Sequence, residues 1–361
     1  VVKSPWQVLT FGLALVGSVD AQEPSVQVTF LDVGQGDAIV VRSPEGRTAM
    51  IDAGVSSPLR YLQQMSVDSI DLLVATHPHA DHIGGLDDVL TARPVRFFMD
   101  NGRPHPTATY ERLMATLEHL EGVTYLRATP RTISLGSVTI EVLPIPPGDL
   151  EQNDTSVGLI LRYGSFTALF TGDSERYELD WWADAQLVPR TTLLKAPHHG
   201  SVNGVTRGFL EAARPRVVVV SVGEGNRYGH PRPEAMTAFA GYAGDVRRTD
   251  RDGHVTSLGY DDGRYEIVTG AEPPSEGAAA LPAAGREPSA SAEGVSGLSI
   301  TVVADAPGND HEHLNGEFVT IHNRSTANVA IGGWRLCDLR SRCFRFPPGS
   351  RILAGRQVRV Y

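Results

Sequence analysis

The stretch Thr76-His77-Pro78-His79-Ala80-Asp81-His82-Ile83-Gly84-Gly85-Leu86 follows an apolar run, Leu72-Leu73-Val74-Ala75. A short unbroken apolar run bounded by polar residues reads as a buried strand. Polar side chains therefore crowd together where a strand ends, and strand ends in α/β sheets are where sites are built. Pro78 keeps His77 extended, because the proline ring clashes with a helical residue before it. His77 and His79 can then present their rings to one ion. Asp81 and His82 follow where the chain turns into a helix, and can face a second ion. Imidazole and carboxylate together suit zinc, manganese or iron. The plainer alternative is a polar loop in which Asp81 only caps a helix. The full H-x-H-x-D-H string, set between an apolar strand and Gly84-Gly85, favours the metal reading.

The same grammar recurs downstream. Ser165-Phe166-Thr167-Ala168-Leu169-Phe170 reads as a strand that ends in Thr171-Gly172-Asp173. Leu193-Leu194-Lys195-Ala196 leads into Pro197-His198-His199-Gly200-Ser201. A strand from Val217 to Val222 precedes Arg227-Tyr228-Gly229-His230-Pro231. Each time a strand is followed by residues able to bind metal or move a proton. A carboxylate at Asp173 and imidazoles at His198 and His199 are what a two-metal site needs beyond the first motif.

Taken in order, these segments resemble the metallo-β-lactamase superfamily, and within it the ComEC-type competence hydrolase domain. The resemblance also rests on Leu31-Asp32-Val33-Gly34-Gln35-Gly36-Asp37-Ala38, Ile51-Asp52-Ala53-Gly54, Asn153-Asp154-Thr155-Ser156 and Thr249-Asp250-Arg251-Asp252-Gly253. It covers residues 25–270 and implies an α/β fold, a four-layer αβ/βα sandwich with two divalent metal ions at one edge. By that resemblance the metal ligands are His77, His79, Asp81, His82 and Asp173, with Asp173 bridging the ions. One of His198 and His199 completes the second ion. His199 is the favoured ligand, and His198 is left for phosphate contact or proton transfer. Asn153 stands where many members have a further histidine for the first ion, and is a candidate metal or substrate contact.

The expected chemistry is that of two ions about 3.5–4 Å apart, which hold a water, lower its pKa and stabilise attacking and leaving oxygens. Asp52 is expected behind a ligand histidine, orienting it through the other ring nitrogen. Asp81, His198 and His230 are the candidate catalytic groups, and Lys195 and Ser201 the candidate substrate contacts. A helix opening near Asp81 is expected to turn its N-terminal amides toward an anionic substrate. A ligand set without thiolate leans toward Mn2+ over Zn2+.

The chain has 361 residues and a formal net charge of −10. That balance argues against a broad basic surface for duplex DNA. It leaves room for a nuclease, since bound metal ions are large local positive charges. Residues 1–21 read as a signal peptide, with Lys3 before an apolar stretch from Val8 to Val19 that is short for a membrane span. A secreted or extracytoplasmic protein with no stable span after signal removal is expected. Members of the ComEC group carry a membrane-channel domain, so the expectation here is a free-standing form of the hydrolase.

Residues 271–297 shift to Ala, Pro, Gly, Ser and Glu, the composition of a flexible linker. Residues 298–361 alternate short apolar stretches with Gly and Asn turns, as in a small β-sandwich. Asn315-Gly316-Glu317-Phe318-Val319 and Gly332-Gly333-Trp334 resemble the lamin-tail domain, which implies a possible cell-surface attachment. Such domains run on past the equivalent of Tyr361, so an incomplete domain is expected. Cys337 and Cys343 read as a disulfide in an exported protein. Asp305, Asp310 and Glu312 form an acidic loop, read as solvated before calcium-binding, with His311 and His313 as surface residues.

The function these readings favour is an exported phosphodiesterase, a DNase with single strands preferred. The alternatives are a phosphorylcholine esterase or a lactone or β-lactam hydrolase on the same scaffold, and a non-catalytic surface binding protein. An aromatic cage would mark choline. Trp181 and Trp182 are adjacent but fall on an expected helix, where core is the plainer reading.

Overall fold

The computed structural model describes residues 23–273, 298–303, 318–331, 335–337, 343–345 and 351–360. The expected signal peptide, nearly all of the expected linker, and the acidic loop with His311 and His313 lie outside the described residues. The chain divides into two units, residues 1–281 and 282–361.

The first unit opens with strands β1 (Val26–Phe30), β2 (Ile39–Arg42) and β3 (Thr48–Ile51). Helix α1 (Leu59–Gln64), β4 (Ile70–Val74), the single turn α2 (Ala80–Ile83), α3 (Leu86–Ala92), β5 (Val95–Asp100), α4 (Ala108–His119) and β6 (Thr124–Arg127) follow. Then come β7 (Arg131–Leu135), β8 (Val138–Val142), β9 (Leu159–Tyr163), β10 (Phe166–Phe170), α5 (Arg176–Asp184), β11 (Leu193–Lys195), α6 (Arg207–Ala213), β12 (Val217–Val220) and α7 (Pro233–Tyr242). The unit closes with β13 (Asp245–Arg248), α8 (Thr249–Asp252), β14 (His254–Gly259) and β15 (Tyr265–Gly270). One sheet runs β15-β14-β1-β2-β3-β4-β5-β6 and the other β13-β12-β11-β10-β9-β8-β7.

The apolar runs explain the layering. Strands buried on both faces need apolar residues at every position, and alternate ones point opposite ways. In β12, Val217 and Val219 enter the core between the sheets, while Val218 and Val220 pack under the helices. In β4, Leu72 and Val74 face the other sheet, and Ile70 and Leu73 face a helix layer. Leu62, Leu86, Val89 and Leu113 from α1, α3 and α4 cover the first sheet. Leu179, Trp182, Leu210 and Phe239 from α5, α6 and α7 cover the second. Three apolar seams between helix, sheet, sheet and helix make the four-layer sandwich. Trp182 is fully buried in the outer seam and its Nε1 donates to Pro144 O at 2.8 Å, so it is core, as its helical setting suggested.

The layering also sets the site. Strands β3, β4 and β5 run parallel, as do β10, β11 and β12. Their carboxyl ends gather along one edge, and the loops that leave β3, β4, β10, β11 and β12 carry Asp52, His77 to His82, Asp173, His198 to His199, and His230.

The second unit holds β16 (Leu298–Val303), β17 (Phe318–Asn323), β18 (Val329–Ala330), β19 (Arg335–Cys337), β20 (Cys343–Arg345), β21 (Arg351–Ile352) and β22 (Gln357–Val360). Strands β16, β17 and β22 form an antiparallel sheet, and Cys337 and Cys343 are register partners between β19 and β20. Among the described residues no helix is long and apolar enough to cross a membrane.

Candidate metal centre

Asp173 sits where β10 ends in a turn that only a small residue can make. Gly172 has φ +51°, and a Cβ there would lie 2.8 Å from Thr76 Cβ. The turn drops the Asp173 carboxylate among imidazoles from both sheets. Asp173 Oδ2 lies 3.2 Å from His82 Nε2, 3.8 Å from His198 Nε2 and 3.9 Å from His77 Nε2. Asp173 Oδ1 lies 3.3 Å from His199 Nε2. His79 joins through its Nδ1, 3.0 Å from His77 Nε2. Asp81 Oδ2 is 3.5 Å from His199 Nε2. The fold therefore brings together His77, His79, Asp81, His82, Asp173 and His199, with His198 at their border.

The groups behind these rings fix which nitrogen faces the centre. Asp52 is fully buried, accepts from Thr76 N and Thr76 Oγ1 at 2.7 Å, and lies 2.7 Å from His82 Nδ1. The His82 Nδ1 proton is thus held at the back and Nε2 points in. His199 Nδ1 donates to Ser221 O at 2.9 Å, with the same effect. His198 and His199 adopt positive φ, 44° and 50°, which is how consecutive residues send their rings to neighbouring positions.

Asp37, Glu175 and Glu178 were not singled out from the sequence. Asp37 is buried and meets the Nδ1 sides of His82 and His199 at 3.7 and 3.6 Å. It clusters with His82, Asp173 and His199 closely enough to share an ion. Its approach from the Nδ1 side makes it a carboxylate behind the rings, not one among the inward Nε2 atoms. Glu175 Oε1 lies 3.0 Å from His198 Nδ1 and accepts from Asn153 Nδ2 at 3.1 Å. Glu175 has no local signal, since it acts on residues distant in sequence, whereas Asp37 stands inside the Leu31–Ala38 motif with no role readable from it there.

Several expectations change. Lys195 does not reach substrate: it is fully buried, and Nζ is 2.6 Å from Asp37 Oδ2, 3.4 Å from Asp173 Oδ1, and donates to Gly172 O at 2.7 Å. Its position in a strand covered on both faces leaves it no path to solvent. Ser201 is also buried and its hydroxyl accepts from Asn203 N at 3.3 Å, capping the next turn instead of facing a ligand. The expected helix at Asp81 is the four-residue turn Ala80–Ile83, followed by a separate helix, so it supplies no extended dipole. His230 lies at the rim, its ring 5.5 Å from that of His198.

The electrostatics call for cations. Asp37, Asp52, Asp81 and Asp173 converge against one fixed cation, Lys195. Burial alone would raise the Asp173 carboxyl, but His199, His82 and Lys195 hold it well below the usual range. Burial opposes charge on His82, yet Asp173 and Asp52 outweigh it and raise the imidazole well above its ordinary value. His199 is likewise pushed up to about 9, by Asp173 and Asp37 against burial. Burial, then the His82 charge, lowers His77. The excess carboxylate is thus balanced by protons on the inner rings, and divalent ions would take their place. Asn153 Oδ1 is buried without a hydrogen-bond partner in the structure, an acceptor oxygen still open to an ion or substrate. The residues present fit a metal centre of nitrogen and oxygen ligands.

The family model of the metallo-β-lactamase superfamily matches residues 31–224, more than half of the chain. The chain belongs to the metallo-β-lactamase superfamily. Within that superfamily it is similar to ComE operon protein 3 of Bacillus subtilis, at 26% identity over 254 residues, 63% of this chain and 32% of that protein. It is similar to Recombination protein 2 of Haemophilus influenzae at 25% identity, over 68% of this chain and 30% of that protein. A similarity to Endoribonuclease ysh1 of Emericella nidulans, at 25% identity, covers 49% of this chain and 23% of that protein. The chain spans about a third or less of the length of these curated relatives. It is a metallo-hydrolase by superfamily, with ComE-type relatives.

Proposed function

We propose that this superfamily member is an exported, metal-dependent phosphodiesterase that cuts DNA, with single strands preferred. The observation that carries the reading is the convergence of four imidazole Nε2 atoms within 3.9 Å of the Asp173 carboxylate. In the proposed arrangement His77, His79 and Asn153 would hold one ion and Asp81, His82 and His199 a second, with Asp173 as a ligand available to both. Two such ions, manganese favoured over zinc, would supply a hydroxide and neutralise charge at phosphorus. The residues themselves then have distinct tasks. Asp52 and Ser221 O keep the Nε2 atoms of His82 and His199 turned inward. Lys195 holds Asp173 and Asp37 from behind. Glu175 steadies His198 at Nδ1, leaving its Nε2 facing the centre to pass a proton to the departing oxygen. Burial, then the His198 and His199 charges, push His230 down to about 4, so it is a neutral ring at the rim.

Relatives named for recombination and for endoribonuclease activity support a nucleic-acid substrate. The acidic net charge of −10 supports a small local contact over duplex wrapping. A choline ester gains no support from Trp182, which is core. The test is one pure sample assayed on plasmid DNA, a phosphodiester dye and nitrocefin, with and without chelator. Chelator-sensitive cleavage of DNA and dye is expected. Turnover of nitrocefin alone would overturn the reading.

A further inference from the structure

The rim of the centre carries a cluster that the proposed chemistry leaves unused. Between β12 and α7, Arg227, Tyr228, His230 and Arg232 follow one another in a single loop. The Tyr228 and His230 rings stack, with centroids 5.9 Å apart and planes 13° apart. Tyr228 is 43% exposed, so part of its ring meets solvent. The guanidinium of Arg227 lies 5.0 Å from the Tyr228 ring centre, and that of Arg232 beside Gly229. From His230 the rings lead inward, 5.5 Å to His198, whose Nε2 is 3.8 Å from Asp173.

The loop is built to hold this arrangement. Asn226 Nδ2 donates to Gly223 O at 3.0 Å and to His230 O at 2.6 Å, and Asn226 Oδ1 accepts from His230 N at 3.1 Å. Gly223 is packed against Gln35, so that a Cβ there would lie 2.5 Å from Gln35 N. The stack is therefore pinned before any ligand arrives, which lowers the entropy a ligand must offset. Glu224 and Glu234 lie toward the two ends of the loop, with Arg227 and Arg232 between them in sequence. A guanidinium at the exposed ring and a second beside Gly229 disfavour a quaternary ammonium and suit a flat ring tied to phosphate. Aromatic stacking interleaved with guanidinium is how single strands are held without regard to sequence.

We propose that Tyr228, stacked on His230, is the platform for the nucleobase beside the phosphate that is cut. The inference rests on the phosphodiesterase reading above and assigns its substrate contact. The test compares the full-length protein, loaded with calcium, for binding a short labelled oligothymidylate and an abasic strand of equal length. The wild type binds the base-bearing strand about tenfold more tightly, within the range that base–aromatic stacking supplies. Tyr228→Ala loses most of that difference, and Tyr228→Trp, which keeps a stacking face and checks folding, retains it. Equal affinity of the wild type for both strands, or a full difference in Tyr228→Ala, overturns the platform. Adding manganese separates the two readings. Base-selective binding without cleavage sinks the phosphodiesterase and keeps the platform, while cleavage without base selectivity does the reverse. A protein that neither binds nor cuts the strands overturns both.

Discussion

At Asp173 one carboxylate meets the inward nitrogens of His77, His82, His198 and His199 and the ammonium of Lys195. Removing it by Asp173→Ala should lower metal content and abolish hydrolysis. Elemental analysis of the variant beside its activity checks this, and full activity at reduced occupancy would contradict a shared ligand. Lys195 makes a different prediction, because its charge is buried with that of Asp37 at 2.6 Å. Breaking such a pair by removing one partner costs about 3–5 kcal/mol, since the other charge is left stranded. Lys195→Met should therefore lose about that much in urea unfolding with chelator present. The charge-neutral double change Lys195→Met with Asp37→Asn should lose less. An equal or greater loss in the double variant would mean that the pair is not what holds these groups in place.

Helix α5 shows what an element adds to the site. Its first turn carries Glu178 beneath the Asp173 turn, where Ser174 Oγ donates to Thr171 O at 2.6 Å and lies 2.7 Å from Glu178 Oε2. A hydroxyl has one proton, and the carbonyl takes it, so Glu178 completes the pair best as a protonated acid. Burial first, and the Asp154 carboxylate with it, raise Glu178 well above its ordinary value. The folded state thus binds this proton more tightly than the unfolded chain. Stability from the group is fully present below the unfolded value of about 4.3 and falls as pH rises toward the folded value. Glu178→Gln keeps a donor and removes that dependence. Its stability relative to wild type should rise between acid and neutral pH, by about 1.4 kcal/mol per unit until the folded value is passed. A difference flat in pH would show that Glu178 is ionised in the fold. The elements themselves were largely legible. Val217 to Val222 and Leu72 to Ala75 read as buried strands, and the structure forms strands over Val217–Val220 and Ile70–Val74 that are covered on both faces, with the polar residues after them at the site edge. The roles of Lys195, Ser201, Asp37 and Glu175 were not legible. Each depends on which loop of the other sheet arrives beside it, and no local period encodes that. Lys195 reads as a substrate cation in sequence because its neighbours do, while the strand that carries it is covered on both faces.

For the whole molecule, every candidate site residue lies in the unit that ends at Leu281. A chain shortened to Leu281 should keep its turnover number on a small phosphodiester. A loss beyond about tenfold, roughly 1.4 kcal/mol of barrier, would mean that the second unit contributes to the reaction. The net charge of −10 predicts cleavage that weakens with salt on a shallow slope, as few phosphates are contacted. The central claim is metal-dependent cleavage of nucleic acid at the Asp173 centre. Its most direct test is a time course on labelled single- and double-stranded oligonucleotides with apoprotein, with manganese restored, and with zinc restored at equal occupancy. The expected result is no cleavage by apoprotein, faster cleavage of single strands than duplex, and more turnover with manganese than with zinc. Cleavage of neither strand, with clear turnover of phosphorylcholine or a lactone by the same metal-loaded sample, would contradict it.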